Sequence, residues 1–197
     1  MKKILLILSV LLIGASAVTA QVRYKGYVDL QGGVMVPPGD SDWDAGSSFS
    51  ITTSHGVELF GGLFLGGGLD ITGCFYSYDG YSGETETDAG AFINVFADVR
   101  YNFLRGRKVS PFVGTRIGGG WQSFDEAGVF LFNPSVGVTF NFTKRFGLDV
   151  GLNYKLNNTT TDAYIGSGRY RTEVSENCSY HNIAISVGVH FKFILNE

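Results

Sequence analysis

Several features that are common in other classes of protein are scarce in this chain of 197 residues. It contains 4 prolines, 2 cysteines and 2 methionines. After the first twenty residues no apolar stretch is long enough for a membrane-spanning helix, and no segment shows the 3.6-residue period of an amphipathic helix. A net charge of −3 gives no support to nucleic acid as a partner. These absences argue against a helical protein and against a nucleic-acid-binding domain.

The N-terminal segment has the features of a secretory signal peptide. Two lysines precede an apolar run over residues 4–13, which is about half the length that a spanning helix needs. Val18 and Ala20 fit the positions that a signal peptidase reads before the cleaved bond. We therefore expect residues 1–20 to be a cleaved signal peptide, and residues 21–197 to form one exported domain.

Glycine and aromatic residues are abundant, and they occur in alternating segments. The chain has 28 Gly, 16 Phe and 10 Tyr. From Phe130 to Phe142 every second residue is large and apolar or a proline, and the alternation resumes from Phe146 to Leu156. A period of two is typical of a β-strand, so the segment predicts a hairpin. Because Pro134 cannot donate a ladder hydrogen bond, we expect a bulge or register break there.

The same alternation predicts eight strands. Their approximate ranges are 24–36, 48–60, 63–76, 90–103, 111–122, 130–142, 146–156 and 180–193. Short links alternate with longer ones, which lie around 37–47, 77–89, 123–128 and 157–179. This arrangement predicts an all-β protein, an eight-stranded antiparallel transmembrane up-and-down β-barrel whose bulky face meets hydrocarbon. The alternative, a soluble lipocalin-like barrel, would need its apolar residues inside.

Three segments carry a resemblance to a known family: "FADVRYNF" (96–103), "VSPFVGTRIGGGW" (109–121) and "FNPSVGVTFNF" (132–142). They resemble the bacterial outer membrane β-barrel family, whose broad group includes the OmpA-like and OmpX-like eight-stranded barrels. The strand ending "VGVHFKF" (187–193) resembles the C-terminal segment that the barrel-assembly machinery reads. The resemblance implies a place in the bacterial outer membrane, among its lipid and lipopolysaccharide. It implies no single activity.

The inward face of the predicted barrel carries charges of both signs. An eight-stranded barrel is only wide enough for its own side chains, and buried charges are costly unless they are paired. A turn centred on Arg107 would set Asp98 opposite Arg116, with Asp29, Asp70 and Arg100 close enough to join them. We therefore predict a lumen ion-pair network, drawn from Asp29, Asp70, Asp98, Arg100, Arg116, Asp149, Lys155 and Lys192, with Glu58 on the same face. Such a network can act as a polar plug or line an ion path, and the plug is favoured.

The two cysteines raise a separate question. Cys74 is predicted to face inward near the loop end of the third strand, and Cys178 closes the longest loop. An exported chain can form disulfides, and this one would hold the long loop across the barrel mouth. The alternative is two unpaired thiols, because the third and eighth strands are not neighbours.

The two rims of the predicted barrel differ in charge. The long connections are acidic, with Asp40, Asp42, Asp44, Asp79, Glu84, Glu86, Asp88, Asp125, Glu126, Asp162, Glu173 and Glu176. The short turns are basic, with Arg105, Arg107, Lys108, Lys144 and Arg145. The acidic rim can serve solubility alone, bridge to lipopolysaccharide through divalent cations, or meet an extracellular protein partner. Loop tyrosines that would support such a partner are Tyr78, Tyr81, Tyr164 and Tyr170.

An enzyme is the main competing hypothesis. His181, Ser179 and Glu173 could form a nucleophilic set at the outer rim, where a lipid-modifying enzyme would need it. The three histidines of the chain show no metal-ligand spacing. We expect no enzymatic activity, cofactor or metal. The sequence favours a small monomeric outer-membrane barrel with a structural or surface-interaction role, and a low-conductance channel is a further alternative.

Overall fold

The computed structural model describes residues 23–36, 45–79, 85–104, 106–123, 127–165 and 172–194, so the predicted signal peptide over 1–20 lies outside the described residues. It contains eight strands: β1 (Arg23–Val36), β2 (Gly46–Glu58), β3 (Leu63–Asp79), β4 (Thr85–Asn102), β5 (Val109–Gln122), β6 (Gly128–Asn141), β7 (Phe146–Ile165) and β8 (Thr172–Ile194). Each strand pairs antiparallel with the next, and β8 closes on β1. The predicted all-β up-and-down barrel is confirmed. Within the described residues, no helix is long and apolar enough to cross a membrane.

The two faces of the barrel follow from the alternation of side chains along each strand. Bulky apolar side chains point outward, and Leu30, Val95 and Ile185 are 50%, 62% and 63% exposed. The residues between them point inward and are buried although many are polar, as for Thr52 and Asn94. This is the reverse of a soluble barrel, and it leaves an apolar belt around the outside of the sheet.

Three short turns close one end of the barrel, which we call the short-turn rim. A 3-10 turn at Phe60–Gly62 joins β2 to β3, residues 103–108 join β4 to β5, and residues 142–145 join β6 to β7. Gly61 and Gly106 have φ values of 71° and 78°, in the left-handed region where a side chain is strained. Glycine at these two positions therefore allows the turns to be tight.

The opposite end carries two tall hairpins, and here the predicted long loops over 77–89 and 157–179 are wrong. In the structure β3 and β4 stay paired up to Asp79 and Thr85, and β7 and β8 up to Ile165 and Thr172. These extensions are rich in Thr, Ser and Asn, so they lack the apolar alternation by which strands were predicted. Beyond the apolar belt the outward face need not be apolar, so the strand pairs can continue there with polar side chains. The β7–β8 hairpin extends about 20 Å past the last pair of β6, at about 3.4 Å per residue.

Pro134 does not produce the expected bulge or register break. Phe132 pairs with Leu156 and Ser135 with Asn153, so β6 and β7 keep one register on both sides of the proline. Pro134 itself pairs with Thr115 of β5. The pairing with β7 lapses at the proline and then resumes. A missing N–H is tolerated in this way because the fixed φ of proline is compatible with an extended strand.

Candidate functional site

Arg116 lies at the centre of the lumen, on the inner face of β5. Its register partner on β4 is Asp98, and its Nε donates to Asp98 Oδ2 at 3.4 Å. Its Nη2 donates to Asp29 Oδ2 on β1, across the barrel. Arg100 lies near the same carboxylate, with 3.7 Å between its Nη2 and Asp29 Oδ2. Two carboxylates and two guanidinium groups therefore neutralise one another, all of them at least 96% buried.

A second group of charges lies towards the short-turn rim. Asp149 of β7 is 3.9 Å from Arg100, between Oδ1 and Nη1, and so continues the central cluster. The other oxygen of Asp149 is 2.7 Å from His190 Nδ1 on β8. Thr139 of β6 donates its hydroxyl to Asp149 Oδ1. The carboxylate is thus bonded by groups from three other strands, which fixes its orientation.

Aromatic rings pack against the arginines. The guanidinium carbon of Arg100 lies 3.9 Å from the ring centre of Tyr27 and 4.7 Å from that of Phe112. That of Arg116 lies 5.3 Å from the centre of Phe96. Contacts of this kind attract the cation and exclude water from it. These rings were not among the predicted lumen residues, although they alternate in step with the charged residues of the same strands and could have been recognised from that.

Lys155 of β7 binds several groups in the lumen. Its ammonium lies 2.8 Å and 3.0 Å from the two oxygens of Asp70 on β3. It also donates to the hydroxyls of Thr72 at 2.7 Å and Ser50 at 3.1 Å. Thr52 donates to the same aspartate at 2.8 Å. The side chain of Lys155 is fully buried, so these protein groups and not bulk solvent balance its charge.

Glu58 and two lysines form the group nearest the short-turn rim. Glu58 Oε2 lies 3.2 Å from Lys25 Nζ and 3.1 Å from Lys192 Nζ. Glu58 and Lys25 are buried, and the side chain of Lys192 is 16% exposed. One carboxylate therefore binds two cations at the short-turn end of the barrel.

The predicted network is arranged as separate clusters along the barrel axis. The structure brings Asp29, Asp98, Arg100 and Arg116 together at the centre, with Asp149 beside them. The expectation that Asp70 joins this cluster is wrong, because Asp70 binds Lys155 nearer the tall hairpins. Lys192 lies at the opposite end, with Glu58 and Lys25. Each of these carboxylates has a cationic partner.

Towards the tall hairpins the lumen holds apolar side chains together with buried polar ones such as Gln122 and Asn157. A buried cluster there contains Met35, Cys74, Tyr76, Phe92, Val129 and Tyr180, and Cys178 packs against it. The candidate Cys74–Cys178 disulfide is not formed, and both residues are thiols. The thiol of Cys74 instead donates to the carbonyl of Gly90 at 3.3 Å. Cys74 is on β3 and Cys178 on β8, and β1 and β2 lie between these strands in the sheet, so their backbones are not side by side.

The residues of the enzyme hypothesis lie on the outer rim of β8. His181 Nδ1 is 2.6 Å from the hydroxyl of Tyr154, and Ser179 Oγ accepts from the amide of Asn158 at 2.9 Å. His181 and Ser179 are thus each bonded to β7. The side chain of Glu173 lies outside the described residues.

The two rims are described to different extents. On the tall-hairpin rim, the structure describes the side chain of Asp88, which is exposed on β4. The other residues of the predicted acidic set, the four loop tyrosines and Arg105 lie outside the described side chains. On the short-turn rim Arg107, Lys108, Lys144 and Arg145 are exposed. These four residues, the turn cations, form a basic surface around the mouth.

The chain is similar to known proteins in its three-dimensional structure. No family model matches the chain, and no curated protein matches it. The structure resembles the crystal structure of Neisserial surface protein A, with a TM-score of 0.56, 20% identity, and coverage of 86% of this chain and 97% of that chain. It also resembles the outer membrane protein OprG from Pseudomonas aeruginosa, with a TM-score of 0.55, 8% identity, and coverage of 88% and 96%. A third similar structure is the outer membrane enzyme PagL, with a TM-score of 0.50, 14% identity, and coverage of 82% and 97%.

The closed eight-stranded sheet, its apolar outer face and these similarities together define the class. The chain has the fold of the bacterial outer membrane β-barrels, as the sequence resemblance implied. At such low identities the likeness is one of fold. The neighbours include an enzyme, so the fold by itself leaves the activity open.

Proposed function

We propose that this protein is an outer-membrane barrel that is closed to ions and acts at the cell surface through its two tall hairpins. The observation that carries the proposal is the filled lumen. Charged clusters lie at its centre and both flanks, and apolar and polar side chains together fill the end beneath the hairpins. A barrel of eight strands has no spare diameter beyond its side chains. The fold therefore supplies a rigid support, and the surface beyond it supplies the activity.

The outer-membrane location is supported by the outer face. Its exposed apolar side chains, such as Val95 and Ile185, would be unfavourable in water but suit hydrocarbon. The expected signal peptide over 1–20 would export the chain, and the barrel-assembly machinery would insert it. Because the closed sheet leaves no unpaired edge, the barrel can be stable in lipid as a monomer.

The expected partners are lipopolysaccharide or an extracellular protein. The paired strands of the β3–β4 and β7–β8 hairpins project beyond their neighbours in the sheet. Binding residues tend to lie on such connections, held in place by a rigid scaffold. The hydrogen bonds of His181 to Tyr154 and of Ser179 to Asn158 support a non-enzymatic role, because these two described candidates are bonded to β7 residues outside the candidate set.

The first prediction concerns conduction. Purified wild-type protein in a planar lipid bilayer should give no large, steady current steps, because paired side chains fill the lumen. A general porin reconstituted in the same way is the positive control for fusion. Folding of the sample is checked by the heat-dependent gel mobility of the barrel. Steady steps of porin size from the folded protein would contradict the closed lumen.

The second prediction concerns the hairpins. We would shorten β7–β8 by replacing residues 160–177 with Asn-Gly, because Thr159 and Cys178 are register partners that a two-residue turn can join. The β3–β4 hairpin is shortened in the same way by replacing residues 77–87, between Tyr76 and Asp88. Both variants should fold, because the lumen clusters are unchanged.

Cross-linking on intact cells then measures the effect. Wild-type protein should give cross-linked species with lipopolysaccharide or a surface protein, and at least one shortened variant should lose them. A variant with Lys144→Gln, at the opposite rim, is the matched control and should keep them. The same cross-linked species from both shortened variants would overturn the proposed role of the hairpins.

A further inference from the structure

The short-turn rim encloses a cavity of about 760 Å³ at the mouth of the barrel. The turn from β4 to β5 and the turn from β6 to β7 form its walls, and Lys192, Glu58 and Arg23 lie at the base. Ligand sites in proteins commonly have volumes of about 300–1,000 Å³. The cavity, which we call the vestibule, is therefore large enough for a small multivalent ligand.

The vestibule is strongly cationic. The four turn cations line it together with Arg23 and Lys192. Glu58, the one carboxylate among its described lining residues, already binds Lys25 and Lys192. Within the described ranges the turn cations take part in no ion pair. Their positive charge is thus available to a ligand.

The walls of the vestibule are braced against each other. Asn141 donates its backbone N–H to the carbonyl of Lys108 at 2.8 Å and its side-chain amide to that of Arg107 at 2.9 Å. Thr143 Oγ1 accepts from the backbone N–H groups of Arg145 at 3.1 Å and Phe146 at 2.9 Å. The two turns therefore hold their cations over one cavity before any ligand arrives. Such preorganisation reduces the entropy lost on binding.

We infer that the vestibule is a binding site for a phosphate-bearing anion with more than one negative charge. Arginine presents a planar fork of donors that matches phosphate oxygens, and lysine adds point charge. Turn cations on two separate walls suit a ligand whose charges are spread across the cavity. The phosphate can belong to the headgroup of an anionic lipid or to a soluble polyphosphate. Phe142, which also lines the vestibule and is 64% exposed, gives the site an apolar edge on the lipid side.

The test uses the full-length folded protein and two probes. Sodium tripolyphosphate is titrated into protein in a zwitterionic detergent by calorimetry, at one fixed salt concentration. Retained lipid is measured by native mass spectrometry after reconstitution in mixed phosphatidylglycerol and phosphatidylcholine. The test variant carries Arg107→Gln and Arg145→Gln, one from each wall. The control carries Thr87→Glu and Ala89→Glu, which change the net charge equally at exposed positions of the opposite rim.

The wild type and the control should bind at least one of the two probes. The test variant should bind tripolyphosphate at least about tenfold more weakly, or retain correspondingly less phosphatidylglycerol. Binding of tripolyphosphate would show that a soluble polyphosphate can occupy the vestibule. Selective retention of phosphatidylglycerol alone would show that the ligand is a lipid headgroup. Unchanged heat-dependent gel mobility shows that the test variant is folded. Absence of binding to both probes, or an equal loss in the control, would overturn the inference.

Discussion

Replacing Arg116 by alanine should lower the free energy of unfolding of the barrel by about 3–5 kcal/mol. The guanidinium of Arg116 binds Asp29 and Asp98, and both carboxylates are buried. Among the described residues, Asp98 then keeps no cationic partner within hydrogen-bond distance, and Asp29 keeps only the longer contact of 3.7 Å to Arg100. Uncompensated charges in a water-poor lumen are costly, because removing a partner does not remove the cost of burying the other group.

Urea unfolding of the barrel in vesicles of zwitterionic phosphatidylcholine measures this effect, because these vesicles offer no anionic headgroup to the turn cations. Trp121 is on the outer face of β5 and is 42% exposed, so its fluorescence reports the loss of the lipid environment. Arg107→Ala is the matched control, because Arg107 is exposed on a turn, and it should change stability by less than about 0.5 kcal/mol. Arg116→Lys should give an intermediate loss, since it keeps the charge but loses the fork of donors. Equal losses for Arg116→Ala and Arg107→Ala would refute the role of the central cluster.

The sequence could reveal those contacts of the central cluster that are made between neighbouring strands. In a hairpin, the turn fixes which residues lie opposite, so a turn centred on Arg107 places Asp98 against Arg116. Alternation along the strands likewise decides which side chains face inward. Both rules need only the neighbouring strand, and both gave the observed arrangement.

Contacts across the barrel could not be predicted in this way. The structure has Asp29 of β1 at Arg116, where it was expected, but Asp70 of β3 binds Lys155 of β7 instead, and neither pair belongs to adjacent strands. Which residues meet across the lumen depends on the stagger with which the sheet closes. That stagger is set by all eight strand pairings together. This is why Asp70 was placed in the wrong cluster.

The tall hairpins were missed for a different reason. Strand prediction relied on apolar residues at every second position, which lipid requires on the outward face. Beyond the apolar belt this requirement ends, and segments such as Asn157–Thr161, which pair with β8, carry Asn and Thr instead. Threonine favours strands, but without an apolar face its alternation gives no signal.

The second large effect is expected at Lys155 and Asp70, where the two single variants should differ. Asp70→Leu leaves the ammonium of Lys155 fully buried with hydroxyl partners alone, and should cost about 3–5 kcal/mol. Lys155→Met leaves the Asp70 carboxylate with donors from Thr52 at 2.8 Å, Thr72 at 2.9 Å and Asn94 at 3.4 Å. This variant should therefore lose less stability than Asp70→Leu.

The double variant Asp70→Leu with Lys155→Met distinguishes the stabilisation by the ion pair from the cost of leaving one buried charge without its partner. Removing both charges also removes both desolvation penalties, so the double variant should be more stable than Asp70→Leu alone by about 2 kcal/mol or more. The measurement is the same urea unfolding, with Lys144→Met at an exposed turn as the control for loss of a lysine charge. Losses that simply add in the double variant would mean that Asp70 and Lys155 stabilise the barrel independently. In that case their contact of 2.8 Å would not be the reason for the stability of this part of the lumen.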